Sequence, residues 1–168
     1  RNEMWEDDGR DRIYGKVELN YDLTDWLSLT GRVGMDHYNW YRNERTAVGS
    51  LEQSDFTKRT TTYMETNSKL LLRFDKTFGG LNVSGLVGGN MLRRNTERLN
   101  ASTVGGLIVP GLYSVANSKS PVNASEALIE RGKNSVFANV SFGYNDFIYL
   151  DVTGRNDWSS TLPDDHNS

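Results

Sequence analysis

The sequence predicts an all-β protein: a single antiparallel sheet of about six long strands that forms part of a transmembrane barrel wall. Three observations predict it. Apolar and polar residues alternate with period two over six stretches; the ionised residues of each stretch fall almost wholly on one parity; and tight turns take turns with long connections.

Residues 12–22 place Ile13, Val17, Leu19 and Tyr21 on one face and Arg12, Lys16, Glu18 and Asp22 on the other. Residues 26–40 oppose Leu27, Leu29, Val33 and Met35 to Ser28, Thr30, Arg32 and Asp36, and residues 60–76 oppose Met64, Leu70, Leu72 and Phe74 to Glu65, Lys69, Arg73 and Asp75. Residues 81–94 set Leu81, Val83, Val87 and Met91 against Asn82, Ser84 and Asn90. The last two stretches, 135–145 and 147–158, set Val136, Val140 and Phe142 against Ser135, Asn139 and Ser141, and Ile148, Leu150 and Val152 against Asp151, Arg155 and Asp157. Successive strand side chains point to opposite faces, so each stretch has one uncharged and one polar face. Lys76 and Arg93 break the rule, both near strand ends.

Alternation alone does not separate a water-facing sheet from a lipid-facing one. The connections discriminate better. Turns at 22–25, 78–80 and 145–146 are tight, whereas 41–59 and 95–134 read as long loops and a third begins at Ser159. Short turns at one end and long loops at the other are the habit of outer-membrane barrels, with the short ones periplasmic. Within the longer loop, Pro110 with Gly111 and Ser120 with Pro121 supply turn chemistry, and residues 124–131 read as one or two helical turns. Aromatics gather at both levels. Tyr21, Trp26, Phe78, Tyr144 and Phe147 stand at the tight turns, and Tyr38, Trp40, Tyr41 and Trp158 at the loop ends, where membrane interfaces concentrate such rings. Between these girdles each strand offers about 9–11 residues, enough to cross a bilayer when tilted.

Composition agrees. A chain of 168 residues is about one domain at roughly 150 residues each. The net charge of −3 lacks the basic excess of a nucleic-acid binder, and the lack of cysteine removes disulfides and thiolate chemistry. With mean hydropathy −0.61 and no apolar run of about 18 residues, no transmembrane helix is expected, which leaves a barrel open. Residues 1–11 are polar, without the apolar core of a secretory signal, so the chain reads as a mature or internal piece.

The segment Tyr149, Leu150, Asp151, Val152, Thr153, Gly154, Arg155, Asn156, Asp157, Trp158, Ser159, Ser160, Thr161, Leu162, Pro163 closely resembles the barrel signature of SusC/RagA-type TonB-dependent transporters of the Bacteroidota outer membrane. Residues 109–118 (VPGLYSVANS) are similar to the loop that precedes this hairpin in the same family, and 135–144 to its first strand. The resemblance implies import of a glycan oligomer or peptide through a barrel of about 22 strands. It also implies an N-terminal plug, a SusD-like lipoprotein lid, energisation through TonB, and a multi-pass location in the Gram-negative outer membrane with its lipid. Six strands fall short of the roughly eight that close the smallest barrels. Residues 1–168 are therefore expected to be part of a barrel domain without its plug, and no residue is assigned to energy coupling.

From that signature Gly154, Arg155, Asn156, Asp157, Trp158, Ser159, Ser160, Leu162 and Pro163 are structural candidates, with Arg155 and Asp157 two apart on one face and so suited to an ion-pair network. Trp158, of opposite parity, suits an interfacial anchor. The aromatic cluster Tyr38, Trp40 and Tyr41, with Arg42 and Asn43 beside it, has the composition of a substrate platform; the alternative is a girdle beside a solvated loop. No catalytic, cofactor or metal site is expected. His37 and His166 have no zinc-type spacing, the acidic pairs 7–8 and 164–165 lack an EF-hand's spaced ligands, and no nucleophile pairs with a base. Two other classes remain open on sequence: a non-transport outer-membrane β protein, and a secreted β-sandwich glycan-binding module.

Overall fold

The computed structural model describes residues 5–145 and 147–160. Six strands, β1 (Trp5–Thr24), β2 (Leu27–Thr46), β3 (Asp55–Phe78), β4 (Leu81–Leu107), β5 (Ser118–Tyr144) and β6 (Ile148–Ser159), form one antiparallel sheet in the order of the chain. A 3-10 turn at Val115–Asn117 is the one helical element among the described residues.

The tight turns lie where expected. Between Phe78 and Leu81, Gly79 takes φ +60°, a left-handed value that a side chain would oppose, and the Asn145 N–H donates to Gly80 O at 2.8 Å, tying neighbouring turns together. Asp146 lies outside the described residues. Farther along β4, a Cβ on Gly85 would stand 2.2 Å from the Asn139 carbonyl oxygen, so glycine there permits close approach to β5.

The long loops are shorter than the sequence suggests. Residues 41–46, 55–59, 95–107 and 118–134 are strand, leaving connections only at 47–54 and 108–117, and residues 124–131 belong to β5 rather than to helical turns. Period-two patterning fades in these stretches because polar residues occupy both faces, yet backbone pairing continues without it. β6 pairs with β5 from Lys133↔Ser159 to Tyr144↔Ile148, so β5 residues 118–132 have no β6 partner among the described residues, and Pro121 is tolerated on that free edge.

Contacts divide the chain into two compact units: residues 1–13, 37–64 and 95–129, and residues 14–36, 65–94 and 130–168. The second carries the apolar band. No second layer covers it among the described residues: the only buried hydrophobic residues are Ala47 and Leu107, whereas Val17 and Leu19 are 65% and 73% exposed and Leu70, Val136, Leu150 and Val152 stand open as well. Soluble proteins rarely leave so large an apolar face bare. On the opposite face Glu18 meets Arg32 at 2.5 Å and Glu65 meets Arg94 at 2.6 Å, while Thr30 Oγ1 donates to Asn20 Oδ1 at 2.7 Å. Lys76, the first exception to parity, lies over the Trp26 and Phe78 rings at 4.4 and 5.3 Å beside a tight turn, so its charge sits against aromatic faces at a strand end.

With lipid against the apolar face, Leu70→Arg is expected to cost about 2–4 kcal/mol of stability in reconstituted protein, while Asn67→Arg on the charged face costs less than about 1 kcal/mol. Urea titration in lipid vesicles measures both.

Candidate functional site

Two groups of side chains concentrate on the charged face, one in each unit. In the first unit, Tyr38 on β2 stacks on Tyr63 of β3 with ring centroids 4.8 Å apart and planes 15° from parallel, and the Arg10 guanidinium of β1 lies 4.9 Å from the Tyr38 centroid. Trp40, two residues along β2, shares this face and its Nε1–H donates to Asp8 at 3.2 Å. Ion pairs continue the surface: Arg42 with Glu6 at 2.8 Å and with Glu44 at 2.6 Å, and Arg59 with Glu44 at 3.5 Å. Each is partly exposed and worth little alone. Together they present cations, carboxylates and ring faces on one surface.

The expected trio therefore divides. Tyr38 and Trp40 stand together on the charged face. Tyr41 points the other way and fills the space over Gly9, where a Cβ would lie 2.5 Å from the ring. Its odd number beside Tyr38 and Trp40 already separates it by parity. Arg10 and Tyr63 join the group without having been singled out, and Asp8, weighed in the sequence only as half of an acidic pair, joins it too; Tyr63 shows polar-face parity in the sequence, but which residue of β2 it meets depends on register across the connection 47–54.

In the second unit, the β5–β6 hairpin places Asp157 opposite Ser135 and Arg155 opposite Phe137. Arg155 Nε donates to both Asp157 oxygens at 3.0 Å, Lys133 Nζ lies 3.2 Å from Asp157, and Arg155 Nη2 donates to Ser135 Oγ at 3.3 Å. Ser135 is 2% exposed. The Arg155 guanidinium also lies 5.7 Å from the Phe137 centroid. Farther down, Ser141 donates to Asp151, and Asn139 donates to Thr153 Oγ1 at 2.8 Å. Gly154 and Asn156 stand opposite Ala138 and Val136, Trp158 opposite Asn134, and Ser159 opposite Lys133. Ser160 closes the end: its N–H donates to Gly132 O at 2.9 Å and its Oγ accepts from Gly132 N–H at 2.8 Å. Leu162 and Pro163 lie outside the described residues.

No protein-family model matches the sequence, and no curated protein sequence is significantly similar to it. Solved structures are similar in fold. The RagAB peptide transporter superposes with TM-score 0.78 at 14% identity, over 95% of this chain and 19% of that one. The chain has the fold of a RagA-like barrel segment. The RagAB peptide importer gives TM-score 0.77 in its closed-closed state and 0.76 in its open-open state, at the same identity and coverage. The chain thus spans 19% of the length of these RagAB chains, and the fold implied by residues 147–163 is the fold observed.

Within this RagA-like segment the connection 108–117 is built around a residue that parity does not reveal. Asn117 is buried; its Oδ1 accepts from Val109 N–H at 3.0 Å and its Nδ2 donates to the carbonyls of Val109 and Leu112 at 2.8 and 2.7 Å. Tyr113 of the same connection stacks on the Arg45 guanidinium at 4.7 Å, and Trp5 takes the other contact at 4.5 Å. Asn117→Ala removes three hydrogen bonds and leaves Val109 N–H and the Leu112 carbonyl without this partner, while the Val109 carbonyl keeps Leu112 N–H at 3.3 Å; the cost is about 1–3 kcal/mol for each group that stays buried. Limited proteolysis is expected to cut the variant within 108–117 under conditions that leave the wild type intact.

Proposed function

We propose that the chain is a wall segment of an outer-membrane, TonB-dependent nutrient importer of the SusC/RagA type, a conduit without catalytic chemistry. The observation that carries this reading is the unlayered sheet of the second unit, bare and apolar on one face and ion-paired on the other; hydrocarbon is the medium that fits the first and a hydrated lumen the second. Likeness to a peptide transporter over 95% of the chain supports it.

Peptides are the favoured cargo, since the similar structures are those of a peptide transporter, with glycan oligomers the second candidate. Tyr38, Tyr63 and Trp40 offer ring faces to apolar side chains or sugar rings, and Arg10 and Asp8 offer charges of both signs to termini or side chains. A SusD-like lipoprotein lid and TonB, the latter engaged through segments beyond these residues, complete the proposed machine.

Uptake of labelled oligopeptides and oligosaccharides by cells carrying the full-length protein tests the reading. Entry is expected to stop when the proton gradient is dissipated; entry that persists sinks TonB dependence, and recovery of the protein in the soluble fraction sinks the membrane assignment. Tyr38→Ala and Trp40→Ala are each expected to lower uptake about three- to tenfold, and Tyr41→Ala by less than about twofold.

A further inference from the structure

We propose that the apolar face of the second unit holds one phosphate-bearing lipid at a defined site, its acyl chain lying along β4 and its headgroup phosphate on Arg93. The inference rests on the membrane reading above and goes beyond it. A groove of about 880 Å³ opens on this face and reaches across β1 to β5, lined by Val17, Leu29, Leu70, Val87, Met91 and Val136 among others, with Gly31 and Gly89 also in its lining. Backbone crowding does not require those two glycines. A Cβ at Gly31 would find nothing nearer than a Leu70 methyl at 4.0 Å, and one at Gly89 nothing nearer than the Ser135 carbonyl oxygen at 3.6 Å. Their missing side chains leave the groove.

Arg93 is the second exception to parity, a cation on the apolar face. Its Nη1 donates to the Leu92 carbonyl at 2.8 Å and to Asn134 Oδ1 at 2.9 Å, and it lies against Gly132, where a Cβ would come within 3.4 Å of Nη1. Asn134 lines the groove as well, so the guanidinium is held beside its mouth. Trp158, opposite Asn134 in the β5–β6 ladder, stands at the same level, the level such rings occupy at a membrane interface. Among the described residues no carboxylate forms an ion pair with Arg93, and its Nε and Nη2 donors remain to fork onto an anion.

The dimensions agree. From Arg93 to Val87 the strand advances about 20 Å, which at a tilt of about 45° is roughly 14 Å along the bilayer normal, close to one leaflet of a hydrocarbon core about 30 Å thick. A phosphate held by Arg93 therefore sits at headgroup depth while the chain beneath it runs down the groove.

Native mass spectrometry of the detergent-purified full-length protein tests this, with dipalmitoyl phosphatidylglycerol, dipalmitoyl glycerol and inorganic phosphate as probes. One phosphatidylglycerol is expected to stay bound after bulk lipid is stripped, about tenfold more tightly than dipalmitoyl glycerol, and Arg93→Gln is expected to erase that tenfold preference. Gly89→Leu, or Gly31→Leu should the first not fold, fills the groove and is expected to release both lipids. Equal retention by wild type and variants overturns the site, as does displacement of the lipid by inorganic phosphate alone. Heat-modifiable migration of the same preparations separates the two readings: folded, membrane-inserted protein without lipid preference overturns the site only, whereas protein that does not insert overturns the membrane reading with it.

Discussion

A sheet that is apolar on one side and has nothing packed upon it is stable only where water is excluded from that side. The exposed leucines and valines of the second unit have no second β layer and no helix to cover them among the described residues, and in the proposed reading the surrounding hydrocarbon covers them. The rest follows. In the proposed membrane setting, backbone N–H and C=O groups cannot be left open in hydrocarbon, so the strands would pair along their whole membrane length and the outer edges, β1 and β6, would be met by further strands of the same wall. Apart from Lys76 and Arg93 near strand ends, the ion-paired charges lie on the other face, where pairs such as Glu18 with Arg32 and Glu65 with Arg94 match one strand to the next. Their exposure makes them weak stabilisers, and their contribution is to favour one register over its neighbours.

The first unit is under no such restriction, and its residues show it. Polar side chains occupy both faces of β2 there, with Tyr38, Trp40, Arg42 and Glu44 on one and Asn39, Tyr41, Asn43 and Arg45 on the other. Cohesion comes from ladders, ion pairs and cation–ring stacks in place of an apolar band. The stack of Arg10, Tyr38 and Tyr63 and the clasp of Arg45 by Trp5 and Tyr113 both spread positive charge over aromatic faces, which tolerates water better than apolar contact does. In the proposed importer this unit is where specificity for a solute would have chemistry to draw on.

Likeness to the RagAB structures at 14% identity fits this division of labour. Alternation, paired edges and tight turns can be written with many sequences, because hydrocarbon asks only for apolar side chains and the ladder only for backbone. The signature hairpin is more demanding. Arg155, Asp157, Lys133 and Ser135 form a network whose geometry depends on each member, and Ser160 returns both of its hydrogen bonds to Gly132.

Strand count, the face on which each side chain lies and the tight turns were legible along the chain, because period-two alternation and glycine or asparagine with left-handed φ are local properties. The separation of Tyr41 from Tyr38 and Trp40 was legible too, by parity alone. Strand length was not: outside the apolar band nothing in the side chains marks a strand, and pairing between backbones carries β4 and β5 well past the last alternating residue. Nor was the meeting of Tyr38 with Tyr63, since a connection such as 47–54 does not determine register as the two-residue turn at Gly79 and Gly80 does. Asn117 takes its role from Val109 and Leu112, eight and five residues back in a connection that no alternation patterns, and Arg93 from Asn134 and Gly132 on another strand. Local chemistry chose the elements and their faces; the register between strands, which only the assembled ladder settles, decided which side chains meet.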